Sequence, residues 1–440
     1  MRCCRIIVNS TVSSPSGRLV VLPQQPVDRN ILGRAIMAHI EELAAISESR
    51  TGLTRVFLSD EHRRTNAVVA AWMEAAGMNS RIDAVGNIIG RYEGMVPGAP
   101  ALMLGSHLDT VRDAGKYDGM LGVVTAIACV AALHRAGKRM PFAIEVIGFG
   151  DEEGVRFGAT MLGSKAAAGC FTADLLALQD SDGRSMADGL RAFGLDPDQV
   201  GMAARSRGEL LAYVELHIEQ GPVLEARGVP VGCVSAIVGA SRLGVTVTGM
   251  AGHAGTVPMA ARADALVAAA QAVLAVEQRC LSEPGVVGTV GTMTVAPGAI
   301  NVIPGSARFS VDIRSVEDRQ RRQAVDDLRA RFAEIAKARG VGIDNTVLHE
   351  LPSVSCASWL QDQIRAAIVA EDITPLDLAS GAGHDGMAMV AIVDIGMIFL
   401  RCAGGISHHP AEAITAEDAA IGARVLSRFI ENFVPEAAHP

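Results

Sequence analysis

The sequence predicts an α/β fold, a largely parallel sheet flanked by helices, with a ferredoxin-like α+β unit inserted into it. Three observations predict this. The apolar strand ALMLGSH, the apolar helix MLGVVTAIACVAALHRAG and the apolar strand FAIEVIGFG follow one another between residues 101 and 150, and a strand, helix, strand unit of this kind gives neighbouring parallel strands. Between about 240 and 354 the order becomes strand, helix, strand, strand, helix, strand, which is the ferredoxin-like βαββαβ pattern. The composition agrees: 49% hydrophobic residues with only 4% aromatic, and 46 glycines, suit helices packed closely on a sheet.

Residues 1–27 read as an N-terminal extension forming a loose tail. Their start is basic, but the apolar stretch breaks after Ile6-Ile7-Val8, too early for a signal peptide. The Asn9-Ser10-Thr11 sequon there is short enough to be accidental. Apolar residues at helical spacing, Ile31, Leu32, Ala35, Ile36, Ile40 and Leu43, predict a helix within Asp28 to Ile46. A second helix is predicted behind Ser59 as N-cap, ending at Gly77. The short strands SRIDAV and NIIGRYEG precede the central alternation, and LLAYVELHIEQ supplies a further apolar strand. The inserted unit is predicted as strand RLGVTVTG, helix ARADALVAAAQAVLAVEQ, strands VVGTVGTMTV and SARFSVDIR, helix VEDRQRRQAVDDLRARFAEIAKARG and strand GIDNTVLHE. The charged outer face of that second helix is a solvated surface. The chain then returns through WLQDQIRAAIVAE, the Gly-rich SGAGHDG, the strand VDIGMIFL and GGISHHPAE.

At 440 residues the chain exceeds what one hydrophobic core usually serves. Residues 28–239 together with 355–440 are expected to form the larger domain and 240–354 the inserted one. A net charge of −9, from 39 basic and 48 acidic residues without a basic run, excludes nucleic acid as a partner. No segment offers the roughly 18 uninterrupted apolar residues that a membrane span needs. The eight cysteines are scattered, and the adjacent Cys3 and Cys4 suit neither a disulfide nor a metal site. A reducing cytoplasm is the expected location.

The chemistry concentrates at strand ends, where ligands gather in parallel sheets. His107 and Asp109 close one strand, Asp118 follows in a Gly-rich turn, Glu152 and Glu153 follow the next strand, and His217 ends a third. A metal bound to one ring nitrogen of His107, with Asp109 holding the other N–H, divides the labour between them. Asp118, with two oxygens, can bridge two cations. Adjacent carboxylates such as Glu152 and Glu153 are costly unless a positive charge neutralises them, and one can ligate while the other handles a proton. Taken singly, the histidines are structural residues, Asp118 a helix N-cap and Arg314 a strand-edge ion pair. Together they point to a metal centre, with His408 or His409 as a further ligand. His39, His62, His134, His349 and His439 have ordinary settings and are assigned no role.

GSHLDTV, GKYDGMLGV, DEEGVRF, ELHIEQGPVLE, GHAGTVPM, NVIPG, DIR, SGAGHDG and GGISHHPAE occur in this order. The chain after about Asp28 therefore resembles the dinuclear metallo-amidohydrolases that include allantoate amidohydrolase, N-carbamoyl-L-amino-acid hydrolase and β-ureidopropionase. The resemblance implies a metallopeptidase-like catalytic domain whose inserted domain acts as lid and dimer interface. It implies two divalent ions, zinc, manganese or cobalt, one on His107, Asp118 and His217 and the other on Asp118, Glu153 and His408. Glu152 takes the position of the general base and Asp109 the orienting position. His253 is expected to stabilise an oxyanion; Asn301 and Arg314, with Gln220 and His384, take substrate positions. The implied reaction is cleavage of a ureido C–N bond in a small carboxylate by a homodimer. LDTVRDAGKYDG and IFLRCAGGISHHPAE resemble the allantoate enzymes, which release ammonia and carbon dioxide and form ureidoglycine. An N-carbamoyl-L-amino-acid hydrolase or β-ureidopropionase is the alternative, and an aminoacylase, a peptidase or a non-catalytic binding protein the remoter ones.

Overall fold

The computed structural model describes residues 30–436. The expectations for the N-terminal tail, the sequon, Cys3, Cys4 and His439 lie outside the described residues. The first helix, Ile31–Ala44, buries Ile36, Ile40 and Leu43 along one stripe, the face its apolar spacing marks out. The second, Asp60–Ala75, starts where Ser59 accepts a hydrogen bond from the His62 N–H at 3.1 Å.

Among the described residues, nine strands form the large sheet. Its centre is Ala101–His107, which runs parallel to Ala143–Phe149 on one side and to Leu210–Ile218 on the other; Leu210–Ile218 is in turn parallel to Ile395–Leu400. All residues of Ala101–His107 and Ala143–Phe149 are buried, because helices cover both faces and parallel strands of this kind read as unbroken apolar runs. The helix Met120–Arg135 packs against these strands and buries most of its surface, including Leu121, Val124 and Val130. Running four strands in one direction brings their carboxyl ends to a common edge. His107, the Asp151-Glu152-Glu153 segment and His217 all stand there.

Two features of this sheet were not read from the sequence. Val231–Ile237 is a strand antiparallel to Ile395–Leu400. The short Asp377–Ser380 pairs parallel to Val231–Ile237, just before the Gly-rich segment. The segment SRIDAV is a strand only over Asn79–Ile82, because the Asp83 carboxylate accepts the N–H groups of Val85 and Asn87 at 3.0 and 2.9 Å and turns the chain.

A second sheet begins at Gly239 and ends at Leu351. Gly239–Thr248 lies between Gly342–Leu351 and Ser306–Ser315, all antiparallel, and Ser306–Ser315 is bordered on its other side by Val286–Thr289 and Met293–Ala296. This is the ferredoxin-like order. The helices Ala265–Leu281 and Asp318–Arg339 cover one face, closing a core that includes Val245, Val311, Ala268, Leu328 and Phe332. Asp264 caps the first of them, so the helix starts four residues later than its apolar pattern suggests. The expected single strand VVGTVGTMTV is two strands. Around Gly291 the ladder gives way to Ser310, whose N–H donates to the Thr292 carbonyl while its hydroxyl accepts the Thr292 N–H at 3.1 Å. Among the described residues, no helix is long and apolar enough to cross a membrane.

Candidate metal centre

His107 is the last residue of its strand and His217 the last but one of its own. The Nδ1 of His107 lies 3.0 Å from the Asp109 carbonyl oxygen, and that of His217 lies 2.9 Å from the Ile218 carbonyl. A carbonyl only accepts, so each Nδ1 carries a proton, and Nε2 is the nitrogen that a neutral ring would offer to a metal ion. Both Nε2 atoms face the same Asp118 oxygen, Oδ1, at 3.3 and 3.1 Å. The other oxygen, Oδ2, faces His408 Nε2 at 3.1 Å, and His408 Nε2 is also 3.4 Å from Glu153 Oε1. Asp118 therefore stands between two donor groups, His107 with His217 and Glu153 with His408.

Local backbone aims each of these groups. Asp118 does not cap the helix that follows; Gly119 occupies that position, at φ 68°. A Cβ on Gly119 would lie 2.5 Å from the His107 ring. Gly119→Ala is therefore expected to displace His107, lower bound metal and reduce stability by about 1–3 kcal/mol, read from metal content and thermal melting; unchanged values for both would contradict this reading of the loop. Glu412 fixes the Asp118 loop from the other side, accepting the Tyr117 and Asp118 N–H groups at 2.7 and 3.1 Å while Ser407 donates to its second oxygen at 3.0 Å. Both histidines are exposed, but His408 sits at φ 56°, with its ring toward Asp118, whereas His409 accepts the Ala411 N–H at 3.1 Å. The structure thus separates the two adjacent histidines.

Asp109 plays a second part besides the one its sequence position suggested. Its backbone carbonyl, not its carboxylate, is the nearer partner of His107 Nδ1; the carboxylate is 3.5 Å away. The carboxylate also accepts the backbone N–H groups of Glu152 and Glu153 at 2.9 and 3.1 Å. It thereby fixes the turn that presents both glutamates.

The electrostatics call for positive charge. Burial raises Glu152 well above its ordinary value, with repulsion from Glu153, Asp385 and Asp109 adding to it against the pull of His107. Burial likewise raises Asp151 and Asp385, with further repulsion from Asp109. Asp118 goes the other way: burial opposes its charge, but the hydrogen bonds with His107, His217 and His408 outweigh burial and hold it well below. Imidazole nitrogens and carboxylate oxygens with a cluster of buried acids are a donor set suited to divalent cations. Their 3.1–3.4 Å separations match the edges of a tetrahedron with metal–ligand bonds of about 2.0–2.1 Å. The residues fit metal ions.

A cavity of about 210 Å³ opens over this cluster, room for a small molecule. His107, Asp118, Glu152, Glu153, His217, Gln220 and His408 line it on one side, and Arg242, Arg314 and His349 from the second sheet on the other. Gln220, at φ 56°, donates to Asp118 Oδ2 at 2.8 Å and leaves its buried Oε1 without a partner. Arg314 does form the ion pair with Asp312 that its strand position allows, through Nε at 3.1 Å and Nη2 at 2.9 Å. Its Nη1 crosses to the Gly381 carbonyl of the large sheet at 2.7 Å.

Three expected substrate positions are not on the cavity wall. His384 is buried behind His217, its ring 4.6 Å from that of His217 and its Nε2 2.7 Å from Ser380 Oγ. It buttresses the His217 ring. His253 and Asn301 are exposed neighbours on the short pairing of Gly252–His253 with Val302–Ile303. Sequence reasoning missed Glu412, Ser407, Arg242 and His349. The SHHPAE wording placed Ser407 and Glu412 near His408, but their bracing contacts depend on the distant Asp118 loop.

Residues 103–432 match the family described as peptidase family M20/M25/M40. The chain is 41% identical over 397 residues to an N-carbamoyl-L-amino acid amidohydrolase of Geobacillus stearothermophilus, covering 90% of this chain and 97% of that one. It is 39% identical over 435 residues to allantoate deiminase 1 of Glycine max, covering 91% and 90%. A crystal structure of an amidase of the hydantoinase/carbamoylase family from Burkholderia multivorans aligns with a TM-score of 0.85 at 32% identity, covering 90% of this chain and 97% of that one.

Proposed function

The chain belongs to peptidase family M20/M25/M40 and is a hydrolase of carbon–nitrogen bonds, and from that premise we propose that it cleaves a ureido C–N bond of a small carboxylate. The substrate is allantoate, converted with water to ureidoglycine, ammonia and carbon dioxide. The observation that carries this reading is Asp118, shared between His107 with His217 and Glu153 with His408, beneath a small cavity that also holds Glu152.

In this account His107, Asp118 and His217 hold one divalent ion, and Asp118, Glu153 and His408 the other; zinc, manganese and cobalt all suit such ligands. Bound there, the ions supply an acidified water and polarise the scissile carbonyl. Glu152, held by the Asp109 carboxylate through its N–H, takes the proton of the attacking water and returns it to the departing nitrogen. Gln220 Oε1, buried and without a partner, accepts an N–H of the ureido group. Arg314 uses its side fork on Asp312 and offers its remaining donors to the substrate carboxylate.

Residues 28–239 with 355–440 form the catalytic unit, and residues 240–354 form its lid and the contact of a homodimer. The exposed His253 and Asn301, away from this chain's own cavity, then serve the neighbouring subunit, where His253 stabilises the oxyanion of the tetrahedral intermediate. The protein works in the cytoplasm.

An N-carbamoyl-L-amino-acid hydrolase is the second reading, favoured by the 41% identity to the Geobacillus enzyme. Parallel assays of ammonia release from allantoate, N-carbamoyl-β-alanine and N-carbamoyl-L-amino acids decide between them. Highest kcat/KM on allantoate is expected. No ammonia from any of these, with amino acid released from an N-acyl analogue that lacks the ureido group, would overturn both. Arg314→Ala is expected to lower kcat/KM for carboxylate substrates by about 10² or more; an equal loss on an uncharged ureide would contradict the clamp.

A further inference from the structure

The open face of the second sheet carries a row of polar residues into the cavity. Asp312 pairs directly with Arg242, and Arg242 with His349, on neighbouring strands. Directly opposed residues present their side chains on the same face, and Arg314, two residues beyond Asp312, shares it. The opposite face is covered by the two helices, which bury Leu243, Val311 and Ile313. His349 reaches the open face only through an irregularity. Val347 pairs with Leu243 and His349 with Arg242, so Leu348 is an extra residue. Regular pairing would have placed residue 348 opposite Arg242 and turned His349 toward the helices. A bulge that re-aims one side chain beside a site is a purposeful feature of strands.

The partners of these groups are uneven. Asp312 takes three of the available guanidinium nitrogens: Arg314 Nε and Nη2, and Arg242 Nε at 3.2 Å. The two terminal nitrogens of Arg242 and both ring nitrogens of His349 have no protein partner among the described residues. Burial and the adjacent Arg242 lower the pKa of His349, so its ring is neutral at pH 7 and can both donate and accept. One carboxylate between two guanidiniums leaves one positive charge, which the substrate carboxylate on Arg314 balances. An additional group at Arg242 is then best accommodated without charge of its own.

Resting on the ureido-carboxylate reading above, we propose that Arg242 and His349 form a second subsite that binds an uncharged hydrogen-bonding arm of the substrate. That arm is a ureido or carboxamide group attached near the carboxylate-bearing carbon. The subsite selects such substrates over N-carbamoyl amino acids with alkyl side chains, and Asp312 positions Arg242 for it.

The test separates binding from turnover. Metal-loaded Glu152→Gln protein is titrated calorimetrically with N-carbamoyl-L-asparagine and its near-isostere N-carbamoyl-L-leucine, with allantoate alongside. The asparagine compound is expected to bind more tightly, and adding Arg242→Ala to lower the asparagine-to-leucine affinity ratio about tenfold. His349→Ala shifts the ratio in the same direction, and Arg242→Lys restores part of it. Equal binding of the two compounds, or loss of both by the same factor in Arg242→Ala, would overturn the subsite. Tighter binding of N-carbamoyl-L-aspartate than of the asparagine compound would overturn its preference for an uncharged arm. Ammonia release by the wild-type protein on the same compounds tests the ureidohydrolase reading independently, because its absence contradicts that reading whatever the titrations show.

Discussion

Glu152→Gln is expected to retain its metal ions and substrate affinity while kcat falls by about three orders of magnitude or more. The change is nearly isosteric, and the backbone N–H of residue 152 still donates to the Asp109 carboxylate, so the turn carrying Glu153 survives. What is lost is a group able to take a proton and return it. Glutamine cannot do this. Burial and the neighbouring Glu153, Asp385 and Asp109 already oppose a charge on Glu152, so a neutral glutamine suits the site and the variant should be no less stable to heat than the wild type. Metal content, melting temperature and steady-state kinetics on one preparation check all of this. Near-normal kcat would remove Glu152 from the mechanism, and loss of metal would reassign it as a ligand.

Asp118→Ala should have the largest effect on metal content. Its Oδ1 faces His107 and His217, its Oδ2 faces His408, and on the present account both ions use it. Removing it should deplete both and abolish turnover. His217→Ala should weaken only the ion shared with His107, leaving Glu153 and His408 in place. Because ligands that bind the folded state add stability in proportion to the logarithm of their concentration, the wild-type melting temperature should rise with added metal and that of Asp118→Ala should not. Elemental analysis and melting curves across a metal titration provide the comparison. Equal metal content in the two variants would break the claim that Asp118 is shared.

Much of the catalytic side of this fold is legible because burial on both faces makes strands such as Ala101–His107 and Ala143–Phe149 read as apolar runs. Their carboxyl ends can then be located to within a residue, and with them His107 and the Glu152–Glu153 pair. The short edge strand Asp377–Ser380 is less legible because its alternation covers too few residues. The break near Gly291 depends on Ser310 from a distant strand, which local pattern does not contain. His408 and His409 are adjacent and chemically identical, so only the backbone at φ 56° decides which ring turns inward. His349 is the clearest case. Strand alternation assigns a face only when the pairing is regular, and the extra residue Leu348 reverses that assignment. Asp109 shows the same limit at shorter range: its closeness to His107 is written in the chain, but the hold of its carboxylate on the Glu152 and Glu153 N–H groups is not.

The proposed chemistry requires cations held between Asp118, the three histidines and Glu153. The measurement that tests it most directly is elemental analysis of the purified protein before and after exhaustive chelation, with ammonia release from allantoate and N-carbamoyl amino acids followed on the same samples. About two divalent ions per chain are expected, with loss of activity on their removal and recovery when zinc, manganese or cobalt is returned. Full activity in protein stripped of metal would contradict it.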